Sequence, residues 1–367
     1  VRPLLRSVLV AAFLASVPSL LAAQDSAAAD HRPGHWSLDI PVRGYGISFG
    51  NAARFSGLRF NFQDAGLDRI NGVNITLWKT GKPVTGTVNG LALGVVGPAA
   101  AELNGVSIGL VGVVAEGRAR WVTIGGLGVV SQGALDGLSL AGLGAVSQGG
   151  MTGASVAGLG VVSQGPMAGI SVAGLGVVSQ GSMTGLFAAG LGTVSQGDLT
   201  GASVSGLASV AQGRIRGVHA AGLAVVSQGD VSGITVSGLA TVAQGSLRGL
   251  SVSGLALVSQ GRTKGISVAG LAVVSEGGVG GLTVAGYEVR TPRASGITIA
   301  GIRLKTRAMS GLSVSAFNQV RGVQMGISIG LLNYARELHG VEIGLLNIAG
   351  NNASPFRVLP LLNVHGR

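Results

Sequence analysis

A serine–glutamine pair returns at one fixed interval through the middle of this chain, and that regularity limits its fold more than any other feature. Pairs begin at Ser131, Ser147, Ser163, Ser179 and Ser195, then at Ser227 and Ser259; Ala211-Gln212 and Ala243-Gln244 fill the same slots, and Ser275-Glu276 closes the series. The step is 16 residues throughout. The stretch Gly-Leu-Gly-Val-Val-Ser-Gln-Gly is repeated unchanged at 126–133, 158–165 and 174–181. Columns of leucine (Leu143 to Leu271), valine (Val146 to Val274) and glycine (Gly142 to Gly270) keep the same beat. A period of this length belongs to an array in which each unit buries its face against its neighbours.

Outside the block the beat loosens. Gly57, Gly72, Gly90 and Gly105, and later Gly296, Gly311, Gly326 and Gly340, each open a run of alternating apolar residues, mostly 14 to 16 apart, giving about 18 units. In GISVAGLGVVSQG (169–181), Ile170 and Val172 alternate with Ser171 at the two-residue period of a strand. The phase breaks at Gly174, as expected where a strand turns a corner.

These features predict an all-β fold, a parallel β-solenoid of about 18 short coils with a strict 16-residue repeat in the central block. At roughly 4.8 Å per coil the stack is of order 85 Å long. Leu175 and Val178 are expected as core rungs, and the Ser139-to-Thr283 column as an outward hydroxyl array. The glutamines are expected to stack as an amide ladder. The centre of each link, Leu135, Met151, Met167, Met183 or Leu199, should tuck beneath its turn. The alternative is a transmembrane antiparallel β-barrel with one strand per unit. A meander would send identical glutamines to alternate rims, and residues 122–286 hold a single aromatic, Phe187, where barrels carry aromatic girdles.

Composition agrees with thin, closely approaching layers: 66 glycines, 4% aromatic and 11% charged residues. Without cysteine there is neither a disulfide framework nor a lipid-modified cysteine. The expected organisation is a signal peptide (1–23), a linker and N-terminal cap (24–56), irregular repeats (57–120), regular repeats (121–286), irregular repeats (287–350) and a C-terminal cap (351–367). The signal reading rests on Arg2 and Arg6, the apolar run 7–21 and small residues before Gln24. Charge is uneven: 121–213 contain no Lys or Arg, whereas 287–367 hold nine basic residues against Glu288, Glu337 and Glu342.

The stretch GISIGLLNYARELHGVEIGLLNIAGNN (326–352), and above all Gly340-Val341-Glu342-Ile343-Gly344-Leu345-Leu346-Asn347, resembles the glycine-rich surface-repeat proteins of bacterial envelopes with their Gly-Val-Gln-Ile-Gly-Leu-x-Asn units. The match is best over 320–365, with Glu342 in place of the glutamine. The resemblance implies an exported, envelope-associated protein and no catalytic residues.

Residues with chemical potential are sparse. His31 and His35 have metal-pair spacing, but Pro33 separates them and no acid cluster follows. His219 and Phe187 interrupt the hydroxyl column and read as tolerated outward substitutions. No serine has a recurring histidine and acid beside it, no phosphate loop ends in Gly-Lys-Ser/Thr, and no aspartate recurs as calcium-binding repeats require. The expectation is therefore no enzyme, no cofactor, no metal and no nucleic-acid partner. The turns bearing Arg214, Arg216, Arg248, Arg262 and Lys264 should align along one edge, a candidate contact for an envelope polysaccharide or anionic lipid surface. An exported envelope or surface protein with a structural or adhesive role is the leading functional reading. A barrel with an anchoring or transport role and a secreted carbohydrate-active solenoid are the alternatives.

Overall fold

The computed structural model describes residues 36–42, 45–78 and 83–366. The signal segment, His31 and His35 lie outside these residues. Among the described residues all regular structure is β. A central coil consists of a long strand such as Met167–Ala173, a Gly-Leu corner, a short strand such as Gly176–Ser179, and a Gln-Gly corner. Long strands pair with long and short with short: Ser171 lies opposite Phe187, and Val177 opposite Thr193. Every such pair in the central block is parallel and in the same register, which makes a solenoid of about 18 turns and not an antiparallel barrel. Antiparallel pairs occur at the two ends. Ser37–Val42 folds back on Tyr45–Gly50, and Val358–His365 covers the open edge of the last long strand, Leu332–Ala349.

The coils stack so closely that glycine is required inside the long strand. At Gly185, φ is +134° and a Cβ would lie 1.9 Å from the carbonyl oxygen of Gly169. Trp121, 73% exposed, stands in this column at φ 81° where the regular block begins.

The inside of the solenoid reverses several sequence expectations. Met167, Ser171, Ala173, Val177 and Ser179 point inward and are buried, whereas Ile170, Val172 and Leu175 are exposed. The leucine column is thus a surface corner, and in each short strand the residue before the expected valine fills the core. The hydroxyl column is likewise internal, and Phe187 and His219 within it are buried at 3% and 1% exposure. The physical reason is strand phase: two-residue alternation puts Met167, Ser171 and Ala173 on one face, so burying Met167 turns Ile170 and Val172 outward. Buried hydroxyls are tolerated because they find partners. Ser237 Oγ lies 2.8 Å from Ser253 Oγ one coil away, and Thr235 Oγ1 lies 3.0 Å from Ser251 Oγ. The links behave as expected: Leu135, Met151, Met167, Met183 and Leu199 are all buried beneath their turns.

The conserved beat of the Ser-Gln corner comes from the serine. Ser147 Oγ sits 2.7 Å from the carbonyls of Gly133 and Gly150, tying one turn to the coil before it. The glutamine side chains are exposed, and no amide–amide bond joins them among the described residues. The amide ladder exists elsewhere, in asparagine: buried Asn318 donates to Asn333 Oδ1 at 2.7 Å, and Asn333 donates to Asn347 Oδ1 at 2.7 Å. At the other end, fully buried Arg59 pairs with Asp64 at 2.6 Å and donates to Asn74 and Asn51, so the charge taken into the core is matched.

Candidate functional site: a cationic edge

The corner that leads from each short strand into the next long strand gathers the basic residues. Arg216, Ser232, Arg248 and Lys264 occupy successive register positions, and Arg214 and Arg262 lie two residues ahead of Arg216 and Lys264 in their own coils. All five predicted basic residues are exposed and share this edge. Arg214 is partly neutralised: its backbone N–H donates to Asp198 Oδ1 at 2.7 Å, and its guanidinium lies 3.9 Å from Oδ2. Among the described residues Arg216, Arg248, Arg262 and Lys264 have no carboxylate within ion-pair distance.

The same side of the solenoid becomes more basic in its last coils, through residues the repeat did not single out. Arg290 and Lys305 are register neighbours on the outer face of the short strands, and Lys305 is followed by Gln319 and then Tyr334. Beside them runs Glu288, Arg303, Phe317 and Leu332. Arg307, Arg321 and Arg336 each follow the aligned positions Thr306, Val320 and Ala335, so they occupy the corner that carries glutamine in the central block. Arg303 donates to Gln319 Oε1 at 2.7 Å and lies over the Phe317 ring at 5.5 Å. Glu288 offsets only part of this charge, pairing with Arg290 at 3.2 Å. Arg321 foremost, then partial desolvation and the cations Arg290 and Arg303, hold the Lys305 ammonium below its ordinary range.

At the C-terminal end of this surface lies an open cleft of about 580 Å³ lined by Phe317, Gln319, Arg321, Tyr334, Arg336 and the aliphatics Leu332 and Ile348. Its donors are guanidinium forks and an amide, its walls aromatic and aliphatic. That combination suits a ligand with anionic groups on a ring-bearing backbone. The signal was present in the sequence as basic residues at near-repeat spacing, from Arg290 to Lys305 and through Arg307, Arg321 and Arg336. The irregular step of the last coils concealed it. Among the described residues no group of three or more His, Asp or Glu side chains is placed to hold a metal. No family model, curated protein or solved structure matches the chain.

Proposed function

We propose that this is an exported, non-catalytic surface protein of the cell envelope that holds an anionic polysaccharide along its cationic edge, most tightly at the C-terminal cleft. The observation that carries the reading is the stacking of Arg307, Arg321 and Arg336 on successive coils beside Phe317 and Tyr334. Like charges held coil upon coil repel one another, and an anionic chain running along the axis relieves that repulsion at every step. The aromatic rings give sugar rings a surface to stack on, which a flat lipid headgroup layer does not use. The envelope setting rests on the resemblance of 320–365 and on the signal-like 1–23.

The test is binding of dextran sulfate, with neutral dextran and phosphatidylglycerol vesicles in parallel. Dextran sulfate binding should weaken steeply with salt and fall roughly tenfold or more in R321Q/R336Q. Salt-insensitive binding, or binding undiminished in that variant, would sink the proposal; preference for the vesicles would transfer the edge to a lipid surface.

A further inference from the structure

The edge opposite the cations carries an unbroken apolar ridge. From Leu127 to Leu271 each coil contributes one leucine, and from Leu143 onward each donates its backbone N–H to the carbonyl of the leucine one coil earlier, as Leu143 does to Leu127 at 2.7 Å. These leucines remain 39% to 53% exposed, and Tyr287 and Ile302 extend the line. An exposed glycine precedes every leucine, and a glycine or alanine follows it, so the ridge runs between two shallow grooves. The outward column Val130 to Val274 lies beyond one groove, and mostly valines, such as Val156 and Val172, lie beyond the other. No charged residue interrupts the leucine corner over 126–272.

Continuous apolar surface on this scale calls for a cover. A bilayer-docking edge would carry cations and interfacial aromatics beside its apolar residues. Here the cations sit on the far edge, and the ridge has no aromatic before Tyr287. A second copy fits better, because ridge and groove are mutually complementary: the leucine crest of one copy can seat in the glycine groove of the other. At the exposure observed, ten leucines contribute roughly 500 Å² of apolar area by transfer bookkeeping. The flanking valines bring this near the ~800 Å² per partner of a standard interface. An antiparallel arrangement also keeps the two C-terminal basic clusters at opposite ends.

We propose that two copies of this chain pack edge to edge and antiparallel through the leucine ridge 127–271, leaving both cationic edges free. The inference stands on the leucine corner alone and does not depend on the polysaccharide reading.

Sedimentation equilibrium of the full chain should show a concentration-dependent dimer. L159N/L191N/L223N, all at exposed corners, should weaken it roughly a hundredfold at unchanged circular dichroism. The chain has no cysteine, so orientation can be read by cross-linking. L143C alone should not form a disulfide dimer, whereas L143C mixed with L255C should. A monomer at all concentrations, or a dimer indifferent to the triple variant, overturns the proposal. Co-sedimentation of a monomer with phosphatidylcholine vesicles reassigns the ridge to a bilayer, and self-cross-linking of L143C replaces the antiparallel arrangement with a parallel one.

Discussion

Ser203 and His219, one full coil apart, lie one above the other inside the solenoid, with the serine Oγ 2.8 Å from the imidazole Nδ1. The other ring nitrogen has no partner among the described residues. Burial foremost lowers the His219 pKa from 6.5.

The folded state therefore holds His219 neutral, while the unfolded chain takes up a proton below pH 6.5. Stability from this site is full above that pH and is lost as pH falls from it toward the lowered folded value. We predict that H219S flattens the acid side of a melting-temperature profile, even if it lowers stability at neutral pH by leaving a void. A variant with the same acid-side slope as the parent would show that another group sets it.

Glu342 gives the opposite slope. Its carboxyl is buried without a hydrogen-bond partner, and desolvation pushes its pKa from 4.5 up to about 8. Folded Glu342 is thus protonated at neutral pH, and its stability contribution is full below the unfolded value and lost as pH rises toward about 8. E342Q should remove that alkaline decline and stabilise the protein at pH near 8, measured by urea unfolding across pH. Unchanged midpoints at high pH would contradict the assignment.

Two of the glycine columns should respond differently to alanine. G185A places a Cβ against the Gly169 carbonyl at a positive φ and should cost about 3 kcal/mol or more. G160A meets nothing nearer than 3.7 Å, and later coils already carry Ala208 and Ala224 in that column. It should be neutral or stabilising by about 0.5 kcal/mol. Equal effects in chemical denaturation would refute the close-approach account.

The asparagine ladder should be far more sensitive than the glutamine column. N333A strands the buried amides of Asn318 and Asn347 and should cost roughly 2–4 kcal/mol. Q164A removes an exposed side chain and should leave the unfolding free energy, read by urea denaturation, unchanged within about 0.5 kcal/mol.

The period was legible because stacking transmits it directly: residues that occupy the same place in successive coils meet the same neighbours, so Met151, Met167 and Met183 recur and are buried alike. Orientation was not legible, because hydropathy alone sends Ile170 and Val172 inward. What overrides it is strand phase: Met167 and Met183 open their strands on the core side, and alternation then turns Ile170 and Val172 outward. Glutamine drew notice by recurring, yet the bonds at that corner belong to its serine neighbour. The cleft escaped for a related reason: Arg321 and Arg336 come together only once the shortened last coils are aligned by their strand register.

The unvarying register from Gly128 to Ala285 also makes length a free variable. Excising one 16-residue unit, such as 158–173, brings together surfaces that already match. Loss or duplication of one such unit can therefore lengthen or shorten the protein one coil at a time. Each event shifts the spacing between its two ends by a single ~4.8 Å increment. A lineage carrying this gene can adjust how far the cationic end stands from the N-terminal end without redesigning a core.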